Sequence, residues 1–464
     1  MSDSAISEAL AQHDTRTARE FFRAHGRPDI RHLPGDWGWP WLGHVPAFLR
    51  DVHGLMNRQY ARYGNVFIFH GPLNSGVMML GPEANELLFK NENNQFSNFL
   101  AWDLTFRNIF DNNVLEMDFS GHKNHRKILQ LAFKRPSIEG HIELMNPMLI
   151  DGLANLPTDK TFMMMPFIKR LLLNVGANVF LGEQVSESTE QLNQAFVDMV
   201  SATADPFKRK IPFTPYYKGI RGRKILTDFM HANIDKKRAT AGRDLFSQLC
   251  NLRDEDGRQF SDEEIRDHVI FVLFAAHDTT TSALSSVLFS LADNPDWQDI
   301  VCREIGDIGK DEIDHDDLDR MENTALVIQE ALRMYPPLVM MPRYSLKEFE
   351  FQGHRIPANT TCVISSLFTH YMEEYWTNPR QFDPLRFTPE RAEDKKHFFQ
   401  YIPFGGGAHK CLGLHFAQVQ GKMFLYHFLR RYRVEKKPGQ VFKYNNVPLT
   451  FPTNGLPLIL RRSP

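Results

Sequence analysis

The spacing of apolar and polar residues along the chain predicts a mainly helical protein with a few small strands. Apolar residues recur at helical intervals over most of positions 83–335, broken by proline and glycine. No linker-like stretch divides the chain, so we expect a single domain over residues 1–464. The predicted strands lie at residues 65–69 and 76–80, within residues 350–364, and in a hairpin over residues 447–460 that turns at Asn454-Gly455.

One predicted helix is much longer than the others. Ser261 followed by Glu264 is the signature of a capping box, and Pro295 would stop the helix. At a rise of ~1.5 Å per residue, such a helix would extend roughly 48 Å and cross the molecule. Its middle, A-A-H-D-T-T-T at residues 275–281, places polar side chains where leucines would be more stable. This pattern predicts either a site within the helix or a face that meets solvent.

Composition and charge narrow the class of protein. The chain has 464 residues, of which 42% are hydrophobic, and its net charge of −2 argues against bulk nucleic-acid binding. The four cysteines form no C-x-x-C pair, which fits a reducing cytoplasm better than a secreted disulfide framework. The polar N-terminal extension over residues 1–32 has no apolar core, and the longest apolar run, Val269–Ala276, is too short to span a membrane. We therefore expect a soluble cytoplasmic protein.

The segment F-G-G-G-A-H-K-C-L-G at residues 404–413 carries the strongest chemical signal. Its glycines allow a sharp turn, and Cys411 precedes a predicted helix at residues 412–429. A helix N-terminus favours the thiolate form of a cysteine, and a thiolate can be the axial ligand of an iron. Two other interpretations compete: a plain core cysteine, and a zinc site with His409 and His415, which lacks a fourth ligand.

This segment resembles the heme-binding loop of the cytochrome P450 family, F-G-x-G-x-[HR]-x-C-x-G, at every fixed position. Residues 329–333, Q-E-A-L-R, resemble the E-x-x-R helix motif, and residues 382–387, F-D-P-L-R-F, resemble the later arginine motif. Residues 275–279 resemble the oxygen-activating motif [AG]-G-x-[DE]-T, with Ala276 where glycine is usual, and the proline-rich segment at 33–43 resembles the hinge. The resemblance implies a mainly α fold with small β-sheets, in which heme b (iron protoporphyrin IX) lies between the long helix and the cysteine loop.

The resemblance also implies roles for individual residues. Cys411 would bind the iron, with Phe404 packed beside the sulfur and Gly405 and Gly413 shaping the loop. Thr279 and Asp278 would deliver protons to the distal oxygen, whereas no role is expected for His277. The expected cationic partners of the heme propionates are His409, His122, Arg126 and Arg343, and the expected structural network is Glu330, Arg333 and Arg386.

The implied activity is insertion of one oxygen atom from O2 into a C–H bond of a lipophilic small molecule such as a fatty acid, terpenoid or steroid. Only about thirty residues follow position 435, so electrons would come from a separate ferredoxin or flavodoxin with its reductase. Two alternatives stay open: a peroxygenase or isomerase that uses peroxide, and a heme-binding sensor without catalysis. We expect a monomer that docks its redox partner through Lys123, Lys127, Lys134, Arg135 and Lys410. The segments expected to line the substrate pocket are Phe96–Phe119, Pro206–Tyr217, Leu338–Met341 and Leu449–Leu456.

Overall fold

A computed structural model describes residues 21, 26, 28–71, 75–183, 187–205, 208–240, 242–441 and 443–463. Most of the predicted N-terminal extension at residues 1–32 therefore lies outside the described residues. The same holds for residues 206–207 of the predicted pocket segment.

Helices make up most of the described chain, as the apolar spacing predicts. Those in the first half are α1 (Val45–Arg50), α2 (Val52–Tyr63), α3 (Pro82–Lys90), α4 (Phe99–Phe106), α5 (Phe119–Leu129), α6 (Arg135–Leu153), α7 (Met164–Gly176) and α8 (Glu187–Thr203). Those in the second half are α9 (Pro215–Ala239), α10 (Leu245–Asn251), α11 (Asp262–Asp293), α12 (Pro295–Ile308), α13 (His315–Asp319), α14 (Glu322–Met334), α15 (Ser366–Thr369) and α16 (Leu414–Leu429).

The strands form small sheets at the edge of the helices. The strands are β1 (Val66–His70), β2 (Ser75–Met79), β3 (Phe96–Ser97), β4 (Thr161–Met163), β5 (Met341–Ser345), β6 (Phe349–Phe351), β7 (His354–Ile356), β8 (Thr361–Ile364), β9 (Tyr432–Glu435), β10 (Tyr444–Asn445), β11 (Phe451–Pro452) and β12 (Pro457–Arg462). A five-stranded sheet has the order β1-β2-β8-β5-β3, and a three-stranded sheet has the order β4-β12-β9. The other strands form two pairs, β6-β7 and β10-β11.

The long helix predicted from the capping box is α11, with 32 residues. The Ser261 hydroxyl accepts from the Glu264 N–H at 3.2 Å, and the Glu264 carboxylate accepts from the Ser261 N–H at 2.8 Å. Both bonds satisfy N–H groups that the first helical turn leaves unpaired. Most of its side chains are buried, and it packs against α7, α14 and α16 in the largest apolar cluster. This helix is therefore the centre of the core.

The predicted hairpin over residues 447–460 is wrong. The chain does turn at Gly455, which has a φ of +73°, but the strands on either side of the turn pair elsewhere. Strand β11 pairs with β10, and β12 lies between β4 and β9. Leu458 and Leu460 are fully buried in the largest apolar cluster, while β4 and β9, both distant in sequence, pair with the two edges of β12.

One helical stretch, Met164–Leu181, is long and apolar enough to cross a membrane by length and composition alone. It is 61% buried within the protein and packs against α11. Burial of this kind is typical of a core helix. The stretch therefore belongs to the helical core of the fold.

Candidate functional site

The loop that carries Cys411 folds tightly against helix α3. Gly405 and Gly407 have φ angles of +66° and +63°, in the left-handed region that favours glycine. A Cβ atom at Gly407 would overlap the carbonyl of Phe89 near the end of α3. The glycine thus allows the close approach that fixes the loop ahead of the cysteine.

Cys411 closes this loop three residues before α16 begins. Its backbone N–H donates to the Phe404 carbonyl at 2.9 Å, and the residue is exposed. Although a face of the residue is accessible, enough protein surrounds the sulfur that burial raises the pKa of the thiol. The hydrogen bond from the Gly413 backbone and the charge of Arg126 only partly offset this effect. The backbone at the helix N-terminus therefore favours the thiolate, as expected, but burial outweighs this effect in the protein alone, whereas coordination to a cation deprotonates such a thiol.

Polar side chains predicted to hold propionates lie beside the cysteine loop. The Arg126 guanidinium, on α5, donates to the Lys410 carbonyl at 2.6 Å. The rings of His122 and His409 stack with their centroids 3.8 Å apart, so α5 and the loop meet here. The charge of Arg343, on β5, acts on both histidines. The sequence-predicted group is thus assembled from three elements.

The charge of this group comes from its arginines. Burial, together with the charges of Arg126 and Arg343, lowers the pKa of His122 to about 4. Burial and the same neighbours hold the pKa of His409 well below its usual range. In the protein alone both rings therefore favour the neutral form at pH 7, and their pairing with propionates stays a prediction. They remain able to donate hydrogen bonds to a carboxylate.

The chemistry of this group fits the carboxylates of a heme. Arg343 is 6% exposed, and burial lowers the pKa of its guanidinium to about 10. Among the described residues, no carboxylate lies within ion-pair distance of Arg126 or Arg343, although Asp118 attracts Arg343 at longer range. Two arginines without an acidic partner suit a ligand that brings its own negative charges. An accessible sulfur completes a donor set for an iron porphyrin.

The middle of α11 presents a stripe of small side chains to the accessible interior. Ala275 is exposed, and Ala276, Thr279 and Ala283 are half-buried, whereas most of their neighbours along the helix are buried. Ala276, Thr279 and Ala283 recur at intervals of three and four residues, and Ala275 lies four residues before Thr279, so they lie on one face. Ala276 also shares a small cavity with Gln420 of α16, the helix that follows Cys411. We call these four residues the accessible stripe.

Thr279 bonds back to its own helix. Its hydroxyl donates to the Ala275 carbonyl at 2.7 Å, and the buried Thr281 hydroxyl donates to the His277 carbonyl at 2.8 Å. These are the bonds to the preceding turn that the threonine run predicts. Because the Thr279 hydroxyl uses its proton in this bond, its oxygen can still accept a hydrogen bond from a ligand on the accessible stripe.

Asp278 lies beside two basic groups. Its Oδ1 atom is 3.0 Å from Lys169 Nζ, on α7, and 3.0 Å from His277 Nδ1, although neither contact has the angles of a hydrogen bond. Burial alone would raise the pKa of Asp278, but the contact with His277 and the charge of Lys169 outweigh burial and lower it. Asp278 is therefore a carboxylate at neutral pH.

His277 and Lys169 are parts of the site that the sequence did not reveal. The His277 ring is buried, and its Nε2 atom lies 2.9 Å from the Lys169 carbonyl. His277 thus contacts both Asp278 and Lys169, and the expectation that it has no catalytic role stays a prediction. Lys169 is 109 positions from Asp278, and no motif in the chain signals that the two would meet.

An aromatic wall borders the accessible stripe. The Phe274 ring of α11 lies 4.4 Å from the Phe110 ring and 5.6 Å from the Phe106 ring, measured between centroids. Phe106 in turn stacks on the half-buried Trp102 at 5.6 Å. Three of these rings belong to the segment 96–119 that was predicted to line the pocket. Phe106 and Phe110 are only 4% and 2% exposed and belong to the apolar core, so among these rings the half-buried Trp102 and Phe274 offer the surface that an apolar ligand can reach.

The Glu330, Arg333 and Arg386 side chains are fully buried and contact one another. Arg333 donates two hydrogen bonds to the Glu330 carboxylate at 2.7 and 2.9 Å, and Arg386 donates to it at 3.2 Å. The remaining donors of the two arginines bond to carbonyls, among them those of His370 and Pro379, and to the Glu393 carboxylate. The network joins α14 to the chain that leads to the cysteine loop.

Comparison with known proteins agrees with the heme-thiolate site that the cysteine loop, the arginines and α11 define. The cytochrome P450 family model matches residues 33–459, so the chain belongs to the cytochrome P450 family. It is a cytochrome P450 monooxygenase and binds heme b.

Relatives match nearly the whole chain. A putative cytochrome P450 136 of Mycobacterium tuberculosis is 32% identical over 93% of this chain and 89% of its own length. A taxane 13-alpha-hydroxylase of Taxus cuspidata is 28% identical over 95% and 94%, respectively. The structure of a retinoic acid-bound cyanobacterial CYP120A1 superposes with a TM-score of 0.84 at 26% identity, covering 93% of this chain and 99% of that one.

Proposed function

We propose that the protein hydroxylates an isoprenoid, using O2 and electrons from a separate redox protein. The observation that carries this proposal is the accessible stripe of α11 beside the aromatic wall. Alanine side chains and one threonine leave room for an apolar molecule next to a single hydroxyl, and the half-buried rings of the wall can cover its hydrocarbon faces. We also propose that the chain forms one catalytic domain.

In this proposal, heme b supplies, when bound, the iron chemistry that activates O2 for insertion into C–H bonds. The Cys411 sulfur is the iron ligand, and the Phe404 ring shields it from water. Arg126 and Arg343 pair with the propionates by charge, and His122 and His409 hold them by hydrogen bonds. Gly405 and Gly413 keep bulky side chains away from the loop, and Glu330, Arg333 and Arg386 hold the chain behind it.

Proton delivery is assigned to the polar turn of α11. The Thr279 oxygen would accept a hydrogen bond from a water molecule and so orient the proton that this water carries. Asp278 exchanges protons with solvent through the half-exposed Lys169. Its contact with His277 gives it a second proton-carrying neighbour. This arrangement favours O2 use over direct use of peroxide, because peroxide brings its own protons.

The substrate class is supported by the names of the relatives. One relative is a taxane hydroxylase, another is a beta-amyrin 28-monooxygenase of Saponaria officinalis, and the structural relative holds retinoic acid. Taxanes, amyrin and retinoic acid are all isoprenoids with rigid rings or conjugated chains. We therefore favour a terpenoid-like substrate over a fatty acid or a steroid.

The proposed redox partner is an acidic ferredoxin or flavodoxin that docks on the basic surface near α5. Lys123, Lys134 and Lys410 are exposed there, whereas Arg135 already contacts Glu139 and Asp316. Exposed lysines steer an acidic partner by long-range attraction. A cytoplasmic location is part of this proposal, because such reduced carriers are available there.

The test is a spectral titration of the purified heme-loaded enzyme with isoprenoids, fatty acids and steroids of matched carbon number. We expect an isoprenoid to displace the iron-bound water at the lowest concentration. That compound should then yield hydroxylated product with a ferredoxin, its reductase and NADPH. Product formed only with peroxide would favour a peroxygenase, and binding without product in either system would favour a sensor.

A further inference from the structure

We propose that the tryptophan-rich segment at residues 33–43 docks the protein on the surface of a lipid bilayer. Within five positions, Trp37, Trp39 and Trp41 are 43%, 68% and 92% exposed, and Leu42 is 47% exposed. Large apolar side chains are seldom left so accessible together, and such patches mark interaction sites. We call residues 37–42 the tryptophan tip.

The tip is held rigidly. Trp39 and Gly43 exchange two backbone hydrogen bonds at 2.9 and 2.8 Å, which leaves Pro40, Trp41 and Leu42 as the connecting turn. The Leu42 N–H donates to the Pro40 carbonyl at 2.8 Å, and Trp41 between them has a φ of +65°. A bulky residue in the left-handed region is strained, so the chain holds the most exposed indole in an unfavourable conformation.

The base of the tip is anchored by a buried network. The Asp36 carboxylate accepts from the Gly38 N–H at 2.9 Å and lies 2.9 Å from His44 Nε2. The His44 N–H donates to the His70 carbonyl at 2.8 Å, and the His70 N–H donates to His44 Nδ1 at 3.0 Å. The tip is therefore fixed to strand β1, and its side chains need no rearrangement before they meet a partner.

The area of the tip fits a bilayer better than a second protein. The three indoles together expose about 400 Å², given that a buried aromatic side chain covers ~150–250 Å². A stable protein interface needs about 800 Å² on each partner. A narrow tip can instead insert among lipid headgroups, where tryptophan is enriched because its ring is apolar and its N–H is polar.

The charges around the tip agree with this partner. The Arg62 side chain is 65% exposed, and its Nη1 atom lies 3.5 Å from Asp36 Oδ2. Arg50 is exposed at the end of α1, next to Leu49, which is 61% exposed. Asp36 is already engaged by its own contacts, and the exposed Asp51 caps α2. The two arginines can therefore meet lipid phosphates. This inference does not rest on the proposed oxidation.

The test is sedimentation of the heme-loaded full chain with vesicles of phosphatidylcholine and phosphatidylglycerol. We expect the wild type to sediment with the vesicles and its tryptophan emission to shift to shorter wavelength. The double variant Trp39→Ser/Trp41→Ser should partition at least about tenfold more weakly and lose that shift, which corresponds to ~1.4 kcal/mol. The matched control is Phe398→Ser, since Phe398 is 85% exposed outside the tip and its loss should leave partitioning unchanged.

Three results would overturn the inference. The first is a wild type that remains in the supernatant at every lipid concentration. The second is equal partitioning of the double variant and the wild type. Sedimentation equilibrium without lipid could instead show a wild-type dimer that the double variant abolishes, in which case a second copy covers the tip. Thermal unfolding and heme content, measured on all variants, ensure that a lost interaction is not a lost fold.

Discussion

At the scale of single residues, the site depends on which hydroxyl of α11 is accessible. Thr279 and Thr281 make the same bond to the preceding turn, but Thr279 is half-buried on the accessible stripe and Thr281 is fully buried. Two threonines with equal local bonding thus differ only in whether a ligand can reach them. They form a natural matched pair for testing proton delivery.

We expect Thr279→Ala to lower the amount of hydroxylated product per NADPH consumed by at least about tenfold, because positioned proton donors contribute ~10²–10⁴-fold to such steps. Thr281→Ala should leave this ratio unchanged while losing the same backbone bond. The measurement is product by mass spectrometry against NADPH consumption. If both variants uncouple to the same extent, the effect comes from the helix and not from the accessible hydroxyl.

Lys169 sets the protonation of Asp278. Since Lys169 lowers the pKa of Asp278, Lys169→Met should raise it, and the carboxylate should be protonated at a higher pH. The acid limb of the pH profile of kcat/KM should therefore move to higher pH in Lys169→Met and stay in place in Lys169→Arg. An unchanged acid limb in the methionine variant would exclude Asp278 from the rate-limiting proton transfer.

At the scale of elements, variants of Arg386 and Arg391 show how much burial adds to the stability of the arginine–glutamate network. Both contact Glu393, but Arg386 is buried and also contacts Glu330, whereas the Arg391 side chain is 34% exposed. Arg386→Met should reduce the free energy of unfolding by ~3–5 kcal/mol, because it removes a buried charge partner from Glu330 and from Glu393, which then keep only Arg333 and Arg391. Arg391→Met should cost less than about 1 kcal/mol. Urea denaturation measures both, and equal losses would contradict a special role for burial.

Elements defined by local signals could be predicted from the sequence, and those defined by distant partners could not. The Ser261–Glu264 box placed the start of α11 because both partners lie within one turn. Strand β12 was misassigned because its hydrogen-bonding partners are β4 and β9, which lie far away in the sequence, and not the neighbouring strand. The cysteine loop was found from its glycines, whereas the neutral state of His122 depends on burial and on Arg343, which no local pattern reveals.

At the scale of the whole molecule, buried neutral histidines link stability to pH. Burial lowers the pKa of His141 and His427 to about 4 and that of His370 to about 3. In the unfolded chain a histidine titrates near 6.5, so below that pH the unfolded state binds more protons than the folded state. Their contribution to stability is present above pH 6.5 and is lost as the pH falls toward 4.

From pH 8 to pH 5, each of these histidines should reduce the free energy of unfolding by ~2 kcal/mol, and the three together by ~6 kcal/mol. His141 isolates the effect, because neither ring nitrogen has a hydrogen-bond partner among the described residues and the ring packs edge-on against Phe416 at 5.7 Å. His141→Phe keeps an aromatic ring there and removes a buried group with unsatisfied nitrogens. Urea denaturation at both pH values should therefore show a loss about 2 kcal/mol smaller in this variant than in the wild type. If the two proteins lose the same amount, protonation of His141 does not contribute to acid unfolding, and the acid sensitivity must come from other buried groups, such as His370 and His427.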